Sequence, residues 1–484
     1  MNLDACYDWE KKHDLINGKE INGFQYWNYM RRDMFMSFED EYTKVDPVFY
    51  KEMTSHSDKV NVSKLKKALR ILSPEPHVRE KQSDVLFLCH SRRYNIDNKM
   101  VSIYTDFVAD FFPGSISLQR FGLGQYKNSD VYTKNLTYAD KLCTMSYIYR
   151  YFNKYFRPGL YKNIRRRIYE DMKGPFQDLR DNYGFHANAN DFADRATILY
   201  FLYKFRKKGF KKFLKKTSPK ILVEVVGGSF DSEIFNELSQ ELGIETIELQ
   251  HGTGTIKIGF PQDKKIKQFP KWFFTFGDFW TENCRLPIPA DHVCSMGFPY
   301  HDIQMSEYPV ESWKHDFNSI IFLSSPKYGK EMSELAVSLK KDLPELRIIF
   351  KLHPKECNNW RENYTLLASS DIEVIDNVKT PLYQLFTECS MQVGVESTAI
   401  YEGLSCALDT YIWDIPRAFT MKALLDSGHA KRFKTADDLK AIIHSRDADA
   451  DMINTDTFWK HNALENIVSG IKEIKSGNKP KQTI

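Results

Sequence analysis

The chain holds no run of about eighteen consecutive apolar residues, the length a membrane-crossing helix needs, which argues against a transmembrane span. Its opening segment, Met1 to Asp14, is acidic and polar and lacks the apolar core of a signal peptide. Eight cysteines (6, 89, 143, 284, 294, 357, 389 and 406) form no CxxC pair and no regular framework. Reduced thiols in a cytoplasmic protein are the simplest reading, and a zinc cluster would need closer grouping. There is no tandem repeat and no extended low-complexity tract. Charge of one sign is also lacking: 68 basic against 64 acidic residues leaves +4, so only local charge distribution can select a partner.

What is present is a series of short apolar runs, each ending in polar or glycine-rich residues. Asp84–Cys89 reads as a first buried strand followed by His90-Ser-Arg-Arg93, and Ser115–Leu118 as a second. Residues 133–216 are rich in long side chains and read as mainly helical. Ile221–Val226, a helix near 231–242 with Ile234, Leu238 and Leu242 on one face, and Ile244–Leu249 follow in order. Strand, helix and strand in that order predict a parallel βαβ unit. Lys271–Phe276 extends it. After a polar connection at 301–317 the pattern restarts with strands at 319–323, 346–352, 372–375, 391–394 and 409–413. With 484 residues, two domains plus peripheral helices are expected. The expected organisation is an accessory amino-terminal region at 1–80, a lobe at 81–305 with a helical insertion, a lobe at 306–435, and a helical return at 436–484.

Polar groups at the carboxyl ends of parallel strands usually face a ligand crevice. Glu248-Leu-Gln-His251-Gly-Thr-Gly254 puts an imidazole and two glycines at such an end. His251 is the leading candidate for proton transfer or for steadying a leaving phosphate, with a structural turn as the plainer alternative. Gly252 and Gly254 would permit tight backbone geometry, and Thr253 and Thr255 would offer hydroxyls. Phe350-Lys351-Leu-His353-Pro354 repeats the layout; strand alternation would set Lys351 and His353 on one side, suited to a phosphate or carboxylate. Val393-Gly394-Val-Glu396-Ser397-Thr398 opens a helix whose hydroxyls would hold phosphate, although helix capping accounts for Ser397 or Thr398 as well. Glu402 would accept from ribose or sugar hydroxyls. Glu224 and Asp278 are lower-ranked general bases, an edge or solvent-facing position being the ordinary explanation for each. No DxD-like pair stands at a strand end, so catalysis without a metal or other cofactor is expected. The run Lys204–Lys216 carries eight basic residues and no acid. It is either a surface for anionic membrane lipid, enlarged by Arg165–Arg167, or a solvated helix. Its aromatics show no organised RNA-binding motif, so no nucleic acid partner is expected.

The ordered set Glu248–Gly254, Phe273-Phe-Thr-Phe-Gly-Asp278, Met296-Gly-Phe-Pro-Tyr300, Phe350–Pro354 and Gly394–Thr398 resembles bacterial surface-polysaccharide and capsule glycosyltransferases of the GT-B type. These are distant relatives of the CDP-glycerol glycerophosphotransferases. The resemblance spans roughly residues 84–430, and Gly23 through Arg31 is similar to the amino-terminal region of the family. It implies an α/β fold of two Rossmann-like lobes facing across a cleft, with additional helical elements at both ends. The acceptor would sit mainly in the first lobe and the donor nucleotide in the second. It also implies that His251 is the acceptor-side catalytic histidine, that His353 is the donor-side His-Pro position, and that Ser397 and Thr398 form the phosphate-binding loop. Bacterial sialyltransferases share a related His-Pro and hydroxyl pair, but their acidic-acidic-glycine motif is absent, since Glu224 is followed by Val-Val-Gly-Gly. The function expected is sugar transfer from a nucleotide-activated donor to a glycan or lipid-linked hydroxyl at the inner face of the cell membrane. Transfer of a polyol phosphate, or glycan and lipid binding without turnover, are the alternatives.

Overall fold

In the computed structural model, residues 3–42, 82–119, 129–185, 187–253, 259–260, 264–446 and 455–481 are described. Gly254 and Thr255 lie outside them. The strands are β1 Val85–Cys89, β2 Tyr94–Ile96, β3 Lys99–Val101, β4 Ile116–Gln119, β5 Leu136–Tyr138, β6 Ile221–Val225, β7 Glu245–Leu249, β8 Trp272–Thr275 and β9 Val293–Ser295. They continue with β10 Asp316–Leu323, β11 Arg347–Lys351, β12 Glu373–Ile375, β13 Cys389–Gly394, β14 Asp409–Trp413 and β15 Lys431–Phe433.

Two parallel sheets result. The first has the order β5-β4-β1-β6-β7-β8-β9 and the second β12-β11-β10-β13-β14-β15; β2 and β3 form a separate hairpin. Strands buried on both faces read as continuous apolar runs, which is why Val85–Cys89 and Ile221–Val225 are wholly buried. The chain is therefore α/β, with two Rossmann-like lobes of GT-B-like architecture.

The amino-terminal helices are integral to the first lobe. Trp9, Trp27, Phe35 and Phe38 share one core with Leu86 and Leu88 of β1 and with Phe192 and Phe201 of the helix Ala189–Thr217. Arg31 is buried there, donating to Glu10 at 2.7 Å and to the carbonyl of Gly259 at 2.9 Å, so this region anchors the chain beyond the His251 loop. The segment expected as one helical return divides between the lobes. The helix Ala436–His444 packs on Gly329–Asp342 of the second lobe, whereas Ala463–Lys475 lays Ile467, Ile471 and Ile474 on the first sheet beside Val85 and Phe274.

Residues 455–462 cross between the lobes as a strap. Phe279 and Lys460 donate backbone hydrogen bonds to Thr457 and Phe276, and the Trp459 indole donates to the Tyr401 carbonyl at 3.2 Å. Gly297, at φ +93°, is needed here: a Cβ would lie 2.2 Å from the Lys460 carbonyl oxygen. Phe276, Trp280 and Phe298 of the first lobe, Ile321, Tyr383 and Tyr401 of the second, and Phe458 and Trp459 of the strap form a single apolar core. The lobes are thus joined by buried aromatic surface as well as by chain. No helix among the described residues is long and apolar enough to cross a membrane.

Candidate active site

The first-lobe half of the site forms where β6 and β7 end. Val226 follows β6 at φ +64°, a conformation costly for a β-branched residue, and delivers the chain into Gly227-Gly228. A side chain at Gly227 would meet Glu248 Oε2 at 2.2 Å and Glu224 Oε1 at 2.9 Å. The two glutamates are register partners on β6 and β7 and share this space beneath the turn. Glu248 accepts from the Gly227 amide at 2.9 Å, and Glu224 accepts from Asn236 Nδ2 at 2.7 Å.

Glu224 therefore departs from the expected edge or solvent-facing position. β6 lies in the middle of the sheet, and the side chain is fully buried, with Oε1 engaged by Asn236. Asp278 takes the solvent-facing position that is its ordinary explanation: it is exposed at the start of the helix Asp278–Asn283 and lines a groove with Asp456, Lys460 and His461 of the strap, apart from the groups that surround His251.

His251 follows β7 beside His90, the ring centroids 6.1 Å apart, and its carbonyl accepts from Tyr104 Oη at 3.1 Å. The 90–106 segment that supplies these neighbours is braced by the buried Arg93–Asp106 ion pair at 2.9 Å. Burial, then His90 and Arg32, push the His251 imidazole down to about 3, so the ring is neutral at pH 7. Arg32 reaches this corner from the amino-terminal helices and donates to the Gly228 carbonyl at 3.3 Å. Gly252 is not in the left-handed region. Its small size serves a close approach instead, since a Cβ would sit 3.1 Å from Thr398 Oγ1 of the second lobe.

The second-lobe half begins at β11. Lys351 is half-buried, and desolvation lowers its pKa; it donates to the Asn377 carbonyl at 2.7 Å, so one of its three donors closes a neighbouring turn. His353 is pushed down to about 4, first by burial and then by Arg92, Lys355 and Lys351. Its Nδ1 accepts from the Lys355 amide at 3.1 Å, which leaves the ring proton of the neutral form on Nε2. Buried Glu356 fixes this turn by accepting from the His353 amide and from Ser324.

Gly394 ends β13 in contact with Ile400, where a Cβ would lie 2.7 Å from Cδ1; packing explains this glycine, and a phosphate cradle is not needed to. Ser397 accepts from the Ala399 amide at 3.2 Å as the cap of the helix Thr398–Leu404, so its hydroxyl oxygen serves that helix. Thr398 faces the His251 loop. Glu402 is partly buried, with Tyr104 of the first lobe and Tyr300 and Tyr383 close enough for its charge to bear on them. Desolvation raises the Glu402 carboxyl to about 7, opposed by a hydrogen bond from Tyr383. Tyr383 is itself 2.8 Å from Nδ1 of buried His301, whose ring stacks on Trp459.

The two lobes thus meet through three links, the His251 loop against Thr398, Tyr104 between His251 and the charge of Glu402, and Arg92 acting on His353, while Asp278 stands outside them. Glu248 was the readable omission: it occupies the same position in its strand as Glu224, four residues in, and parallel strands in register align such positions. Among the described residues no group of three or more His, Cys, Asp and Glu side chains is arranged to hold a metal ion.

The basic run at 204–216 is largely a packed helix. Arg206 is buried against Asp231 at 2.8 Å, Lys207 pairs with Glu237 and Glu241, and Lys211 with Glu241. Lys204, Lys208, Lys212, Lys215 and Lys216 remain exposed, and Phe210 and Leu214 face the core. The apolar contribution expected for lipid contact is therefore spent inward.

No family model and no curated protein matches the chain. Solved structures share its fold. A Listeria monocytogenes protein assigned as a UDP-N-acetylglucosamine 2-epimerase aligns over 83% of this chain and 99% of its own, at 9% identity and a TM-score of 0.50. The UDP-GlcNAc 2-epimerase of Neisseria meningitidis, bound to UDP-GlcNAc, covers 79% and 98% at 12% identity and a TM-score of 0.44. The wall teichoic acid polymerase TagF covers 89% and 99% at 10% identity and a TM-score of 0.39. At these identities the likeness is one of fold.

Proposed function

We propose that the chain transfers a sugar from a nucleotide-activated donor to a hydroxyl of a bacterial surface glycan or its lipid-linked precursor. The observation that carries this reading is the meeting of the His251 loop with Thr398 across the cleft, 3.1 Å from a Cβ placed on Gly252. A donor bound by the second lobe would then lie within reach of a group able to take a proton.

In this reading Thr398 and the Nε2 proton of His353 donate to the donor's phosphates, with Lys351 contributing charge nearby. These donors stabilise the negative charge that grows on the leaving group. Glu402 orients ribose or sugar hydroxyls. Neutral His251 takes the acceptor proton as the new glycosidic bond forms and the bond to phosphate breaks. The paired Glu224 and Glu248 act through the turn at Gly227 and hold the first-lobe loops in place. Closure of the lobes excludes water and limits hydrolysis.

The test incubates the full chain with CMP-, CDP-, UDP- and GDP-linked donors and lipid-linked glycans, followed by intact-mass analysis. A glycosyl increment on the acceptor, lost in His251→Ala, is the expected result. A glycerol phosphate increment would replace the donor class, and an epimerised donor with an unchanged acceptor would replace transfer by isomerisation. Full turnover in His251→Ala would remove that residue from the chemistry.

A further inference from the structure

We propose that the corner between the helices Asp140–Phe156 and Pro158–Tyr183 is a docking surface for an anionic lipid bilayer. The inward face of the first helix carries Cys143, Ser146, Arg150 and Asn153, all buried. The opposite face carries Ile148, Phe152, Tyr155 and Phe156, all exposed, with Leu160 just beyond the bend. At about 100° per residue the two sets lie on roughly opposite sides of the helix. Leu142 and Tyr149 pack on the core beside Cys143, so the exposed apolar set is additional to the inward one that an ordinary surface helix buries. Phe156 is 75% exposed and Tyr155 61%, so none of the described residues covers them. Phe152 and Phe156 stack at 5.1 Å, making one continuous aromatic ridge at the tip.

Charge identifies the occupant. From Lys141 to Tyr169 the sequence contains eight basic residues and no acid. Arg157, Lys162, Arg166 and Arg167 are exposed around the ridge, and Lys154 and Arg157 lie over the rings of Tyr155 and Phe152. An apolar ridge ringed by cations fits the interface of a bilayer, where rings enter the headgroup boundary and cations meet lipid phosphates. A second copy of the chain is a poorer partner, because a twofold contact would set this basic ring against itself. The surface is distinct from the lysines of 204–216, whose apolar neighbours face the core. Its recognition of lipid does not depend on the chemistry in the cleft.

The test is co-sedimentation of the full chain with phosphatidylcholine vesicles, with and without about one third phosphatidylglycerol, beside the variant Phe152→Ser/Phe156→Ser. Both rings are solvent-facing, so the variant should match the parent in circular dichroism and thermal midpoint. The expected result is binding to the anionic vesicles that falls about tenfold or more in the variant, as loss of inserted aromatic area requires. It should persist in Lys204→Glu/Lys208→Glu/Lys212→Glu. No binding to either vesicle would overturn the proposal. So would binding lost only in the lysine variant, or a concentration-dependent dimer, seen by ultracentrifugation, that the serine variant abolishes without any vesicle binding.

Discussion

Replacing Gly252 by alanine should impair cleft closure while leaving each lobe intact. The backbone there is outside the left-handed region, so alanine brings no conformational penalty of the kind it would at Gly297. The added Cβ meets one atom within 4 Å, Thr398 Oγ1 at 3.1 Å, a few tenths of an ångström inside ordinary contact. Overpacking against a single hydroxyl sits at the lower end of its usual cost, about 1 kcal/mol. If that cost falls on the closed cleft, kcat/KM for donor turnover drops about fivefold. Thr398→Ala removes the offending oxygen. Measured in that background, Gly252→Ala should have nearly no effect, which makes the double-mutant coupling about 1 kcal/mol. Urea midpoints should be unchanged by Gly252→Ala in either background. Equal rate losses in the two backgrounds would refute the cross-cleft contact, and a lowered urea midpoint would show that the loop supports its own lobe.

Three further outcomes follow from burial and charge. The Glu402 carboxyl is raised from 4.5 to about 7, so the folded state binds more protons than the unfolded state between those values. Stability should therefore fall as pH rises from about 4.5 through 7, by up to about 3 kcal/mol, and Glu402→Gln should flatten that limb in urea titrations. His251 behaves oppositely: with its pKa lowered from 6.5 to about 3, the unfolded state binds the proton first, and stability falls as pH drops through that window. Turnover should accordingly show no acid limb at the pH of an ordinary imidazole, and a limb near 6.5 would mean His251 is solvated. Arg206→Met should cost about 3–5 kcal/mol by stranding buried Asp231, with much of that regained in Arg206→Met/Asp231→Leu, as read by denaturant midpoints.

Local pattern made most of the architecture legible. Apolar runs mark ten of the thirteen strands of the two sheets, while the three-residue edge strands β5, β9 and β15 are too short to carry a pattern; the motifs at His251, His353 and Ser397–Thr398 fall at strand ends because parallel sheets present their loops there. What stayed hidden depends on distant pairing. Glu224 reads as awkward until β6 is known to be central and β7 brings Glu248 alongside it. Asp278 reads as a strand-end acid until residues 455–462 cross beside it. The lysine-rich run looks like a free surface until Asp231, Glu237 and Glu241 arrive from the following helix. Spacing cannot reveal such partners, and the role of Arg32 is equally nonlocal.

The placement of Ala463–Lys475 has a consequence for biogenesis. This helix seals a face of the first sheet, with Gly470 in contact with Phe274 and with Ile471 and Ile474 buried, although the second lobe is encoded in between. During synthesis the earlier lobe therefore stays unfinished, its apolar flank uncovered, until the ribosome has released residues beyond 475. Maturation of the two halves is interleaved in time, and a chaperone able to shield that flank would act on the nascent chain late, after the second half has already taken shape.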